Sequence, residues 1–189
     1  MSTFGERVSM IDFDSDKRWY ALHVRPNYEM TVATRLEALA VEHYLPLNKP
    51  AKLSLRNKFS SGPPLFPGYV FSFMNLHGGP RLYCIPGIIR IVGYGGRATP
   101  IEDREIAMVR SIAQSSLTIE PVPYFQSGDR ICLTAGPLAG VSGTFLKSAK
   151  GNKLVVSLPI LRRSLAVTVL SEWVTADLNT YCSAEACAS

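Results

Sequence analysis

The residues best suited to binding chemistry lie in the stretch Pro-Leu-Phe-Pro-Gly-Tyr-Val-Phe-Ser-Phe at residues 64–73. Prolines and a glycine interrupt the chain just before a run of aromatic and β-branched residues, which is typical of a strand entered through a tight turn. Apolar side chains occupy both faces of this strand as far as Ser72. Two interpretations follow: its own domain covers the strand on both sides, or one apolar set is left for a protein partner.

Basic residues are concentrated in two blocks of a chain of 189 residues with net charge +5. Residues 17–58 carry eight Lys or Arg against three Asp or Glu, and residues 126–176 carry six against two. An acidic segment, residues 101–125, lies between them with two against four. Such blocks attract the phosphates of nucleic acids, and they also occur as ordinary solvated surface.

No motif in the sequence indicates catalysis. The glycine-rich stretches at residues 93–96 and 136–143 lack the spacing and the Lys-Ser/Thr ending of phosphate-binding loops. No serine or cysteine stands in a nucleophile-elbow context, and carboxylates are few in the basic blocks. The four cysteines and three histidines are scattered, so no metal site and no cofactor are predicted. The sequence indicates a binding protein, not an enzyme.

Hydrophobic periodicity predicts an α+β sandwich over residues 17–114, with helices packed on a sheet. A strand over residues 19–24 is followed by a helix over residues 28–40, which Asn27 is expected to cap. Val32, Leu36 and Leu39 recur at helical spacing and are expected to face the sheet. Strands over residues 43–47, 69–73 and 88–92 follow, and a second helix starts near Glu102 with Ile106, Val109 and Ile112 on one face.

The remaining chain is predicted to be all β. Residues 115–126, with two prolines and no helical pattern, indicate an interdomain linker. Four short strands within residues 127–176 predict a small barrel, since closure removes exposed strand edges. Residues 1–16 and 177–189 are expected to be a flexible arm and a flexible tail. Neither a membrane-spanning run nor a signal peptide is recognised, so a cytoplasmic monomer without membrane contact is expected.

Several segments, taken in order over roughly residues 18–175, resemble NusG-type transcription elongation factors. In the first half these are Arg-Trp-Tyr at 18–20, Val-Ala-Thr at 32–34, Leu-Phe-Pro-Gly-Tyr-Val-Phe at 65–71, Pro-Gly-Ile-Ile-Arg-Ile-Val-Gly at 86–93 and Pro-Ile at 100–101. In the second half, residues 128–131, 136–144, 156–158 and 163–167 look like a KOW motif. The resemblance implies an N-terminal NGN domain, an antiparallel sheet flanked by helices, and a C-terminal SH3-like KOW barrel.

The resemblance also implies a function and its site residues. In this family the N-terminal domain docks an apolar surface on the clamp helices of RNA polymerase and suppresses pausing or termination. By motif position, Phe66, Pro67, Tyr69 and Phe71 should supply that surface, with His23 on the neighbouring strand. In specialised members the strand-to-helix region touches the non-template DNA strand. Its candidates here are Arg25 and Arg35, which Lys52, Arg56 and Lys58 could join through a basic hairpin.

The KOW domain of this family recruits a second partner, such as termination factor Rho or a ribosomal protein. The corresponding loop contains Leu161, Arg162 and Arg163, with arginine where the housekeeping pattern has glycine. Because arginine tolerates positive φ poorly, a loop of different shape is expected. The run Leu-Arg-Arg-Ser-Leu-Ala-Val at 161–167 resembles specialised paralogs of the UpxY and RfaH-like groups, which favours a specialised factor. A housekeeping NusG and a ribosome- or RNA-binding KOW protein are the alternatives.

Overall fold

The structure is a computed structural model that describes residues 17–48, 62–76, 82–124, 130–148 and 151–175. Expectations for the arm at residues 1–16, the tail at residues 177–189 and the hairpin cations Lys52, Arg56 and Lys58 lie outside the described residues. No helix of the described part is long and apolar enough to cross a membrane.

A four-stranded antiparallel sheet carries the first half of the chain, with two helices packed against it. The strands lie in the order β2–β3–β1–β4, so β1 has a neighbour on either side. Their bounds are β1 Arg18–Val24, β2 Glu42–Tyr44, β3 Tyr69–Met74 and β4 Ile88–Ile91, and the helices are α1 Glu29–Ala38 and α2 Asp103–Gln114. The predicted order of strands and helices is confirmed.

Strand β1 is buried on both faces because its side chains alternate between two hydrophobic clusters. Trp19 and Ala21 pack in the cluster that contains the apolar stripe of α2. Leu22 and Val24 pack in the other cluster, which contains Val32 of α1. The two helices therefore lie in different clusters, and β1 contributes residues to both.

Helix α1 differs from the sequence prediction at both ends. Its N-cap is Tyr28, without a side-chain cap hydrogen bond, and Asn27 instead takes a positive φ of 66°. Leu39, expected to face the sheet, is 52% exposed because the helix ends at Ala38 and the chain turns through Ala40 at φ 54°. Helix α2 begins as predicted, with Glu102 as the N-cap of a capping box.

A six-stranded antiparallel sheet carries the second half of the chain, in the order β12–β8–β9–β10–β11–β7. Before it, a small hairpin pairs β5 Gly93–Tyr94 with β6 Arg97–Ala98. All four predicted strands are confirmed. The described pairings end at β7 and β12, so closure into a barrel stays a prediction. The bounds are β7 Ile119–Pro123, β8 Arg130–Leu133, β9 Ser142–Ser148, β10 Gly151–Leu158, β11 Arg163–Val169 and β12 Val174–Thr175.

Strand β7 lies within the segment that the sequence predicts to be a linker. It pairs with β11 along its whole length, and Glu120 forms an ion pair with Lys153 of β10. Its two prolines obscure the strand pattern in the sequence, yet proline is tolerated in an edge strand. Only residues 115–118 then separate α2 from the second sheet.

The two sheets are in contact. The cluster that holds Phe71 of the first sheet is continuous with the one that holds Leu165 of the second. The side-chain amide of Asn48 donates to the Ile119 carbonyl at 3.4 Å, and the Tyr94 hydroxyl donates to the Pro159 carbonyl at 3.4 Å. The second sheet thus packs on the first through apolar and polar contacts.

Arg110 fastens α2 to the sheet, and we expect its loss to be measurable. The guanidinium carbon lies 5.1 Å from the ring centroids of both Trp19 and Tyr44, and Nη2 lies 3.8 Å from a Glu42 carboxylate oxygen. Because each cation–π contact contributes about 0.5–1 kcal/mol, Arg110→Ala should lower the free energy of unfolding by about 1–2 kcal/mol. Urea denaturation followed by circular dichroism measures this change.

The matched control is Arg104→Ala on the same helix. Arg104 is largely exposed and pairs only with the exposed Glu102 among the described residues, so its loss should change stability by less than about 0.5 kcal/mol. Equal losses in the two variants would contradict a fastening role for Arg110.

Candidate functional site

The proline–glycine motif folds into a tight turn at the entry of β3. The Tyr69 amide donates to the Phe66 carbonyl at 3.1 Å, which closes the turn over Pro67 and Gly68. Gly68 has φ 83°, and proline followed by a positive-φ glycine is the signature of a type II turn. A Cβ at Gly68 would have room, so the backbone conformation, not space, requires glycine here.

The end of β1 holds this turn and a second loop. The Val24 amide donates to the Gly68 carbonyl, and the next amide, of Arg25, donates to the Gly87 carbonyl, both at 2.8 Å. Gly87 has φ 101°, and a Cβ there would approach the ring of Tyr28 to 2.5 Å. The sequence Pro-Gly at residues 86–87 is therefore needed for close packing against the start of α1.

Two of the five predicted docking residues are buried. Phe66 is 2% exposed and Phe71 is fully buried, and their rings meet edge to face with centroids 5.8 Å apart. The ring of Phe71 also stacks on Tyr44 at 6.4 Å. In this structure Phe66 and Phe71 belong to the core beneath the turn and offer no surface to a partner.

The other three predicted docking residues form one surface, which we call the turn surface: His23, Pro67 and Tyr69. Pro67 is exposed, and the other two are partly exposed. His23 and Tyr69 lie directly opposite each other on β1 and β3, and their ring centroids are 5.4 Å apart at an interplanar angle of 30°. Cross-strand aromatic pairs of this kind stabilise a sheet, and here the pair also presents a small flat aromatic face beside the turn.

The surroundings of His23 lower its pKa and so favour the neutral imidazole. Within the described part of the chain, its Nδ1 atom is buried without a hydrogen-bond partner. Burial, and then the charge of Arg90 opposite it on β4, hold the pKa of His23 below its ordinary value. A proton on the ring would be added close to the Arg90 guanidinium and partly shielded from water, and both effects disfavour the charged imidazolium.

The predicted DNA-contact residues are exposed but do not form a single cluster. Arg25 follows β1 directly beside the turn surface. Arg35 lies in the last turn of α1, about 9 Å along the helix axis from Glu29. Arg25 precedes α1 and Arg35 lies in its last turn, so the two cations lie toward opposite ends of this helix.

The predicted partner loop of the second sheet contains two exposed arginines. Leu161 is 5% exposed and packs in the core, whereas Arg162 and Arg163 are exposed. Arg162 has φ 49° and ψ 46°, the left-handed conformation. Arginine therefore adopts the positive φ that it tolerates poorly, at a cost of about 1–2 kcal/mol. The expected difference in loop shape from the housekeeping pattern stays a prediction.

Sequence reasoning missed three charged residues around the site. Glu29, in the first turn of α1, accepts a hydrogen bond from the Gly68 amide, and Arg90 faces His23. Arg110 lies between the rings of Trp19 and Tyr44. Their partners are distant in sequence, so no local spacing reveals them. Among the described residues, no cluster of three or more histidine, cysteine, aspartate or glutamate side chains could hold a metal ion.

Comparison with known proteins now decides the family. A family model for NusG, described as transcription termination factor nusG, matches residues 17–110. The transcription termination/antitermination protein NusG of Pseudomonas aeruginosa is 28% identical over 166 residues, which cover 80% of this chain and 93% of the relative. The chain belongs to the NusG family. It is therefore a transcription termination/antitermination factor of that family.

Further relatives extend the NusG match over both halves of the chain. The NusG of Pasteurella multocida is 28% identical over 174 residues, covering 84% of this chain and 94% of the relative. A solved structure on domain interaction in Thermotoga maritima NusG aligns with a TM-score of 0.53 at 22% identity, over 85% of this chain and 97% of that one. The fold is thus NusG-like: an antiparallel sheet with two helices, followed by a further β-sheet region.

The environment of His23 predicts a pH-dependent stability. Because its pKa is lower in the folded protein than the unfolded value of about 6.5, the unfolded chain binds the proton at higher pH. The stability contributed by neutral His23 is complete above that value and is lost as the pH falls through it. We expect the free energy of unfolding of the wild type, relative to His23→Gln, to decrease from about pH 7.5 to about pH 5.5.

Urea denaturation of both proteins across this range measures the difference. Arg90→Gln removes the second cause of the lowered pKa and should make the decrease smaller. Parallel pH profiles for wild type and His23→Gln would show that the environment of His23 does not penalise its protonation.

Proposed function

We propose that this NusG-family protein binds the clamp helices of RNA polymerase through the turn surface and suppresses pausing or termination. The observation that carries the proposal is the turn surface itself. Pro67 and Tyr69 stand on a turn fixed by backbone hydrogen bonds at 2.8 and 3.1 Å. A rigid aromatic group loses little conformational entropy on binding, which favours affinity. Tyrosines in this setting commonly dominate the energy of an interface.

The buried phenylalanines support this surface from below. The ring of Phe66, three residues before Tyr69, packs edge to face on Phe71, two residues after Tyr69. Because protein interiors are close-packed, a change in either ring would shift the backbone that carries Pro67 and Tyr69. Phe66 and Phe71 are therefore proposed as the foundation of the docking surface rather than as its contacts.

The exposed cations suggest where nucleic acid would lie. Arg25 adjoins the turn surface. A DNA strand that leaves the polymerase beside the turn surface would therefore pass Arg25 first and Arg35, further along α1, second. We propose that both contact the phosphates of the non-template DNA strand. Contacts of this type position the protein on the nucleic acid and carry no sequence information of their own.

The second sheet supplies a second binding site in this proposal. Arg162 and Arg163 project from the start of β11, and a pair of exposed arginines suits an acidic surface of a ribosomal protein or of Rho. The double arginine, together with the left-handed Arg162 where glycine is the less strained choice, favours a specialised paralog over a housekeeping NusG.

Docking through the turn surface predicts a large effect of Tyr69→Ala on polymerase binding. We expect the affinity of the full chain for RNA polymerase core to fall about 30-fold, as for an aromatic residue at an interface centre. Interferometry with immobilised polymerase measures the dissociation constant. Leu39→Ala is the control, since Leu39 is 52% exposed and lies at the opposite end of α1. Its affinity should equal that of the wild type.

A test at Phe71 would not serve the same purpose. Phe71→Ala is expected to lower stability by about 3–5 kcal/mol, because it removes a fully buried ring, so any loss of binding would report unfolding. Unchanged affinity in a folded Tyr69→Ala protein would exclude the turn surface as the docking site.

The specialised assignment predicts restricted genomic occupancy. Chromatin immunoprecipitation of the protein in its own host should find it on a few operons, because a specialised factor needs a recruiting DNA element as well as polymerase. Signal over most transcribed genes, in proportion to that of polymerase, would support the housekeeping alternative instead.

A further inference from the structure

Glu29 is a buried acidic residue whose hydrogen bond joins α1 to the turn. Among the described residues it is the one charged residue in the buried set, at 6% exposed. A buried carboxylate is costly unless it accepts hydrogen bonds. Here one carboxylate oxygen accepts from the Gly68 amide at 2.8 Å, across 39 residues of sequence.

The hydrogen bond from Gly68 completes a two-sided attachment of the turn. The carbonyl of Gly68 accepts from the Val24 amide at 2.8 Å, while its amide donates to Glu29. The middle of the turn is thereby fixed to the end of β1 on one side and to the start of α1 on the other. These two hydrogen bonds also fix the positions of Pro67 and Tyr69, the residues on either side of Gly68.

The position of Glu29 on α1 also suits a carboxylate. It is the first residue of the helix, where free backbone amides and the helix dipole favour negative charge. An exposed acidic side chain could interact with the helix dipole equally well, without a hydrogen bond from Gly68. The burial of Glu29 and its hydrogen bond from the distant Gly68 amide therefore point to a role in the turn.

We propose that Glu29 is a positioning residue for partner docking, which holds the Pro67–Tyr69 turn in its binding conformation. This inference rests on the proposed function, since the turn surface must be what the polymerase contacts. A turn that is already ordered loses less conformational freedom on association than one that orders on binding. Glu29 would thus act on affinity without touching the partner.

Two substitutions of nearly equal length separate the hydrogen bond from packing. Glu29→Gln keeps an acceptor oxygen at the same distance along the side chain, whereas Glu29→Met fills similar space without an acceptor, and both residues are favourable in helices. We expect Glu29→Met to bind RNA polymerase core about tenfold more weakly than the wild type and Glu29→Gln to stay within about threefold. Glu37→Gln, on the exposed side of the same helix, should bind as the wild type does.

Hydrogen exchange at the Gly68 amide gives a second readout that needs no partner. In full-length protein, NMR should show faster exchange of this amide in Glu29→Met than in wild type, and near wild-type exchange in Glu29→Gln. A general loss of stability would accelerate exchange at β1 amides as well, so a change confined to the amides of Gly68 and Tyr69 reports the turn.

The outcomes distinguish this inference from the proposed function. If the wild type does not bind polymerase, the proposed function fails, and the inference about docking falls with it even where Gly68 exchange changes. If the wild type binds and Glu29→Met binds equally well, the positioning role alone is overturned. Should Glu29→Met not fold, Glu29→Asp replaces it: the shorter acid withdraws the oxygen from Gly68, and wild-type affinity in that variant overturns the role.

Discussion

The arrangement of the first sheet depends on one strand, β1, which has a paired strand on each edge and a hydrophobic cluster on each face. Its side chains alternate between the cluster of α1 and the cluster of α2. Its backbone pairs with β3 on one edge and with β4 on the other. At the end of the strand, the amides of Val24 and Arg25 hold two loops. Both helices, the turn surface and the first DNA-contact candidate are therefore positioned relative to a single element.

Much of the fold follows from patterns that the sequence displays openly. The short aromatic and β-branched runs of β1 and of the four strands of the second sheet, and the helical spacing of Val32 with Leu36, report local backbone geometry that tertiary packing then preserves. The end of α1 is different, because the chain leaves the helix at Ala40 with φ 54° and no glycine marks the place. Leu39 therefore continues the apolar stripe in sequence but not in space. Strand β7 was hidden for a related reason, since its prolines are acceptable only at a sheet edge.

The position of the turn before β3 was predictable from its prolines and glycine, but the accessibility of the side chains around it was not. Alternation places Tyr69 and Phe71 on the same face of β3. Which of the two is covered depends on Tyr44 and on α2, whose positions are set by packing across long sequence distances. The partnership of Glu29 with Gly68 has no local signature either, because one member is a helix residue and the other lies in a turn. At Arg162 the local preference is the one that fails. The positive φ of this residue favours glycine, yet arginine adopts it between β10 and β11.

If the contact between the two sheets opened, the pairing of strand β7 would limit how far the two proposed binding sites could separate. With β7 paired in the second sheet, residues 115–118 alone join it to α2, and four extended residues span at most about 14 Å. If the five residues of β7 were released, the span of nine would reach about 31 Å. A short linker of this kind gives each site a high effective concentration near the other. A partner captured by Arg162 and Arg163 would thus be delivered within a fixed, short radius of the transcription machinery, and the strength of the β7–β11 pairing would determine that radius.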